Sequence, residues 1–403
     1  ARTGMELRAP ALLSHLAFTL DEHSPSPAAH VTALALQLGQ PAPAPNAVQI
    51  HLKLRHGFVR FERHGEFYRI AIVATGKMQK GQEAVDLLPA AWVAQLPGKR
   101  IVAIHTHVLK LGRGQALPGF IGAFFGHEDL AGSVVANGAA IVASDFRIRP
   151  DGYTRMLVID KGIAPLRLGR TVRRIHEIET YRMMALLGLP VARAAQAELR
   201  PLETELHGTI IRMTEKSSAD QDGQLLVHLS GIARKVEELS NRTSYRFAAT
   251  RAYATLVEKR VAELAEVRIN GFQRLGVFLD RRFSPAIATC TATASRIVDL
   301  AARSERANNL LRTRVDIALE AQNQQLLRSM DARARQQLLL QETVEGLSVV
   351  AISYYLVSLF SKFSEGFRDG QDGWERALHL AGVPLAVGLV WLGLRLIRWR
   401  LRD

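Results

Sequence analysis

Three short stretches set histidine beside possible partners at spacings that chemistry could use. In "IHTHVL", His105 and His107 stand two residues apart and share one face if the segment is a strand. Such a pair could hold a divalent cation given a third ligand, for which "FGHEDLAG" offers His127, Glu128 and Asp129. "RHGEFYR" repeats the spacing with His64 and Glu66. In "RRIHEIETYR", His176 and Glu179 fall on one helix face, as in bundle metal sites, which need further carboxylates from other helices. A ladder of ion pairs with Arg173, Arg174 and Arg182 is the simpler use.

Other chemistry leaves no trace. No phosphate-cradling glycine loop, dinucleotide fingerprint, Gly-x-Ser-x-Gly elbow or close cysteine pair occurs. The single cysteine, Cys290 in "SPAIATCTATAS", reads as a small packed residue. The expectation is a protein that is not an enzyme and has no bound cofactor, a divalent cation aside.

The elements that would carry these residues change character along the 403 residues. Residues 1–47 read as an extended lead-in rich in Pro and Ala, with one short helix. Residues 48–165 read as an α/β domain: "EFYRIAIVA", "KRIVAIHTHVL", "GAAIVASDFRI" and "YTRMLVID" are strand-like, and "GQEAVDLLPAAWVAQL" is helical. Residues 166–342 turn to helical periodicity. "GRTVRRIHEIETYRMMALLGLP" ends on Gly188 and Pro190, and Pro201 stands near the start of the next helix. A long helix is expected from about Gln224 to Arg268. No proline separates Pro285 from Pro384, so a helix from Pro285 into the next segment would run on the order of 110 Å.

That segment is apolar. From Gly346 to Ser361 there are 16 residues without a charge, and from Ala377 to Leu394 there are 18. They predict transmembrane helices over 343–363 and 377–396, an outer link over 364–376 and a basic tail over 397–403. Arg395, Arg398, Arg400 and Arg402 flank the second span, whereas "KFSEGFRDGQDGWER" around the link balances three basic residues against four acidic ones. The positive-inside rule then puts the C-terminus, and with it the N-terminal domain, on the cytoplasmic side, with these arginines at lipid headgroups. The chain carries a net charge of +14 without any nucleic-acid motif, which points to a lipid surface and not to nucleic acid. The fold class expected is an α+β cytoplasmic domain with a mixed sheet, a long helical stalk and a C-terminal two-helix transmembrane hairpin.

Along the first span Thr343, Leu347, Val350, Tyr354, Ser358, Ser361 and Glu365 recur at three or four residues. This stripe could line a pore or make a helix contact. Before it, Asn308, Gln322, Asn323 and Gln324 interrupt an apolar face, as amides do at a seam that fixes register between subunits.

"RHGEFYRI", "AGSVVANGAAIVASDFRI", "GRTVRRIHEIETYRMMALLGLPVAR", "RRFSPAIATCTATASR" and "LLRTRVDIALEAQNQQLLRSMDARARQQLLLQETVEGLSVVAISYY" resemble the DUF3422 family of uncharacterised membrane-anchored proteins. The likeness implies membrane attachment and no particular activity. The architecture is also similar to CorA-like divalent-cation channels, which are homopentamers, but "SKFSEGFRDG" stands where those carry Gly-Met-Asn. The expectation is therefore a two-pass, homo-oligomeric scaffold of the bacterial inner membrane, the alternative being a CorA-like channel.

Overall fold

A computed structural model of the chain describes residues 5–20, 24–44, 47–76, 79, 81–112, 116–127, 129–215, 218–365, 384, 387–393 and 395–396. The chain forms two compact units, one of Ala1–Lys216 and Leu225–Asn308, the other of Ser217–Gln224 and Asn309–Asp403.

The first unit is built on a mixed sheet of nine strands. These are β1 (Ala11–Thr19), β2 (Gln49–Leu54), β3 (Gly57–Arg63), β4 (Phe67–Thr75), β5 (Lys99–Lys110), β6 (Ala131–Val135), β7 (Ala140–Ser144), β8 (Thr154–Asp160) and β9 (Val267–Arg268). Their order is β2-β3-β4-β1-β5-β8-β7-β6-β9, with β5 and β8 parallel and every other pair antiparallel. Residues 11–19, inside the stretch expected to be a lead-in, thus form β1 near the middle of the sheet. "ALLSHLAFT" shows no polar alternation because both faces of this strand are covered.

Short helices α1 (Pro27–Gln37), α2 (Ala90–Ala94) and α3 (Leu117–Phe125) accompany the strands. Leu16, Phe18, Ile70 and Ile72 pack with Val31 and Leu34 of α1 and Trp92 of α2, while Ile121 and Phe125 of α3 pack on Ile141, Leu157 and Ile159. The other face meets α4 (Pro165–Leu186): Leu13, Phe67, Ile104, Val142 and Val158 close on Leu168, Val172, Ile175 and Ile178. Because β residues alternate between faces, each strand serves two cores.

Then follow α5 (Gly188–Thr214), α6 (Ala219–Ala262) and α7 (Leu275–Glu365). Gly188 opens α5 where helical continuity was expected to stop, and Pro201 and Pro285 lie inside α5 and α7. The first unit therefore includes α4, α5 and the parts of α6 and α7 up to Asn308, so the boundary expected at residue 166 does not separate compact units.

In the second unit Arg314 pairs with buried Asp222 at 2.9 Å. From Leu319 to Leu359, α7 is one continuous helix whose side chains are almost all exposed. Among the described residues no helix is long and apolar enough to cross a membrane. The side chains of Phe360, Ser361, Phe363, Ser364 and Glu365, the link with Trp374, most of the expected second span, and Arg398, Arg400 and Arg402 lie outside the described residues.

Candidate functional site

The layer between the sheet and α4 holds a buried polar network. In register, Arg60 of β3 faces Ala71 of β4 and Glu62 faces Arg69, so Arg60, Glu62 and Arg69 share the side turned to α4. Arg69 donates to Glu62 from Nε and to Glu177 from Nη2, the latter at 3.1 Å. Arg173 donates from Nε to Glu177 at 2.9 Å and from Nη2 to Glu62 at 3.4 Å. Arg60 bonds Glu62 at 2.8 Å, and Arg260 of α6 pairs with Glu177 at 2.8 Å and with Glu263. Burial opposes ionisation of Glu62, but the guanidiniums of Arg69, Arg173 and Arg60 outweigh it and hold the carboxyl below its ordinary range. Glu177 behaves alike, with burial overcome by Arg69, Arg173 and Arg260.

Beside this network His15 of β1 stacks on His176 of α4 at 4.5 Å. His15 Nε2 meets Thr180 Oγ1 at 3.0 Å, and Thr180 donates to the His176 carbonyl, so the His15 nitrogen is the donor. His176 Nε2 meets Thr106 Oγ1 at 2.8 Å. Burial, then the Arg69 charge, pushes His176 down to about 3, and burial with His176 and Arg69 drives His15 the same way. Both imidazoles are neutral and buried.

His105 and His107 do share one face of β5, the one turned away from α4, and both reach Glu83. His107 Nε2 lies 3.1 Å and His105 Nδ1 3.8 Å from its carboxylate. Ser14 Oγ, which accepts from Val85 N, lies 2.9 Å from the same His105 nitrogen, and Tyr153 stacks on the ring at 3.9 Å. Serine and carboxylate thus approach one and the same nitrogen, which leaves no relay from base to nucleophile. Arg155 joins Glu83 at 3.2 Å and occupies the place a cation would take. Among the described residues no three histidine, cysteine or acidic side chains come together to hold a metal ion.

The remaining expected residues disperse. His127 pairs with buried Asp145 at 3.2 Å, Asp129 pairs with Arg147, and Glu128 lies outside the described residues. Glu66 takes both guanidinium nitrogens of Arg246, at 3.0 and 3.2 Å, while His64 stacks on Phe67. Glu179 binds Arg182 within α4, and Arg174 reaches Glu263, so the ion-pair reading of this helix holds. Cys290 is buried 3.3 Å from where a Cβ on Gly188 would stand, a packing residue between helices. Asn308 accepts from Ser230 at 3.4 Å, whereas Gln322, Asn323 and Gln324 are exposed. Leu347, Val350 and Tyr354 of the stripe are exposed too. Thr343 donates to the Leu339 carbonyl at 2.7 Å.

The arginine–carboxylate layer was missed, although "GFVRFER" and "EFYRIAIVA" set Arg60, Glu62 and Arg69 on one face of otherwise apolar strands. Charges at the core-facing positions of two adjoining strands were the available signal.

A nine-stranded mixed sheet with helices on both faces, an arginine–carboxylate layer buried at Glu62, Arg69 and Glu177, and a 91-residue helix together define an α+β protein. The family model DUF3422, described as a protein of unknown function, matches residues 1–401, and the chain belongs to that family. No curated protein matches it, and the comparisons lend no support to the CorA-like similarity.

Proposed function

We propose that the chain is a membrane-anchored, homo-oligomeric assembly protein of the bacterial inner membrane, without catalysis of its own, its N-terminal unit and C-terminus cytoplasmic. One observation carries the reading. Between Val344 and Leu359 the large apolar residues Val344, Leu347, Val350, Ile352, Tyr354, Tyr355, Leu356 and Leu359 are exposed on every side of α7. A helix apolar all round belongs inside a core or a bilayer, and the described residues supply no core for it.

Two details support the lipid. Thr343 and Ser348 spend their hydroxyls on the carbonyls of Leu339 and Val344, which lowers the cost of placing these two side chains in hydrocarbon. Arg395 lies over the Trp391 ring at 4.9 Å, a pair suited to the headgroup boundary. Against catalysis, Ser14, His15, His105 and His176 are buried and bound to neighbours. The oligomer follows from the stalk. Leu319, Asn323, Leu326 and Met330, then Leu340, Val344 and Leu347, fall on one face at heptad spacing with Arg333 and Gln337 between the two groups, and a second copy offers the matching stripe.

Single-particle imaging of the full chain in detergent tests this. We expect several copies around an axis filled at Tyr354 and Ser358 by side chains or lipid. A monomer would sink the proposal, and a five-fold ring with an open, wet path there would replace the scaffold by a channel.

A further inference from the structure

Where α6 ends and α7 begins, their facing sides leave a cavity of about 670 Å³, within the size range of small-molecule pockets. Val257, Val261, Leu279, Phe283 and Ile287 give it an apolar wall. Among the described residues its charged lining is Glu258, Glu266 and Asp280, with no arginine or lysine, in a chain whose net charge is +14. Glu266 is fixed in place. Its Oε2 accepts from the Ser133 hydroxyl at 2.9 Å and from the Gly276 backbone N–H at 3.1 Å, while its Oε1 has no donor among the described residues. Gly276 lets the carboxylate come so near, since a Cβ there would stand 2.6 Å from Oε1. Neither donor is charged. By contrast Glu263, three residues earlier, holds both Arg174 and Arg260, whereas none of the three lining carboxylates pairs with a cation among the described residues. Ala262 at the carbonyl end of α6 and Gly276 in the first turn of α7 both line the space, so the two helix ends offset each other and the carboxylates set its sign.

We propose that this cavity binds a small organic amine with an apolar body. The ligand has the same two parts as the site: a hydrocarbon or aromatic body lies against Val257, Leu279 and Phe283, and an ammonium donates a charge-assisted bond to the free oxygen of Glu266. Glu258 and Asp280, both exposed, attract the cation to the mouth. A bare metal ion does not fit, because among the described residues no three acidic, histidine or cysteine side chains converge on one point. An acid of the same shape is repelled by all three carboxylates. This inference concerns the first unit alone and does not rest on the membrane reading.

The test is calorimetric titration of the full chain in maltoside micelles, referenced to protein-free micelles, with protonated 4-phenylbutylamine as the probe. We expect saturable binding of the amine and none of 4-phenylbutyrate, which has the same body and the opposite charge. Glu266→Gln should weaken the amine by about tenfold or more, while its amide oxygen still accepts from Ser133 and Gly276. Should that variant fail to fold by circular dichroism, Glu258→Gln with Asp280→Asn, at two exposed positions, should weaken binding severalfold instead. Ala288→Trp, at an exposed lining position, keeps every charge and should abolish binding by filling the space. No saturable heat above that of the micelles, equal binding of the butyrate, or unchanged affinity in the folded carboxylate variants would each overturn the proposal. The first of these is also the result if a second copy of the chain covers the groove.

Discussion

His15 and His176 are held neutral by burial and by Arg69, and that fixes the sign of a pH effect. An unfolded histidine takes its proton near pH 6.5, while folded His176 resists protonation until about 3. Below pH 6.5 the unfolded chain therefore gains protons that the folded one refuses. Stability present at pH 7.5 falls as the pH drops, by up to about 1.4 kcal/mol per pH unit for each imidazole. His51, His64 and His105 are lowered too and act in the same direction. The lowered carboxyls of Glu62 and Glu177 act only below about pH 4.5, so the interval from pH 6.3 to 5 isolates histidine. Thermal unfolding of His176→Gln should show a shallower loss across that interval than the wild type; equal slopes would refute the assignment. The neighbouring ion pairs make a second prediction by contrast. Arg69→Ala leaves Glu62 and Glu177 buried beside a missing partner and should cost about 3–5 kcal/mol, whereas Arg242→Ala at the exposed surface should cost less than about 1 kcal/mol. Denaturant titration compares the two directly, and similar losses would mean that the buried network is not the stabilising unit proposed.

Helix α4 seats the network, and one glycine lets it approach. A Cβ at Gly169 would run into the carbonyl of Met5, which is backbone and cannot swing aside. Gly169→Ala should push α4 off the N-terminal segment and cost on the order of 1–3 kcal/mol despite the usual gain of alanine in a helix. A stabilised variant would show that the segment yields. At the meeting of α5, α6 and α7, burial pushes the Cys290 thiol up, so maleimide should label it only when the protein unfolds. The elements also show what was legible beforehand. β4, β5, β7 and β8 could be read from their β-branched runs, and α7 from its lack of proline, because local patterning governs both. β1 could not be read, since a strand covered on both faces carries no alternation, whereas Gly188 and Pro190 did mark the end of α4 to within a residue or two, although α5 resumes at once at Gly188. The pairing of Arg69 with Glu177 joins residues 108 apart, which no local pattern encodes.

For the molecule as a whole, the exposed length of α7 sets the question of what covers it. Leu319, Leu326, Met330, Leu340, Val344 and Leu347 share one face of a heptad pattern whose remaining positions are Asn323, Arg333 and Gln337, and each of the six is at least half exposed. Parallel copies in register would set each of these residues beside its own equivalent and would place Asn323 opposite Asn323. An amide in that position costs stability but penalises slipped registers, in which it would face leucine unpaired. The two consequences separate by mutation. Asn323→Glu with Gln324→Glu puts like charges at the seam of every copy and should dissociate the detergent-solubilised oligomer. Asn323→Leu should instead tighten association while broadening the distribution of assembled sizes, because the register penalty is gone. Mass photometry reads both outcomes on the full chain. An oligomer that survives the double glutamate would place the subunit contact elsewhere, and a single sharp species from Asn323→Leu would show that the apolar stripe alone selects the register.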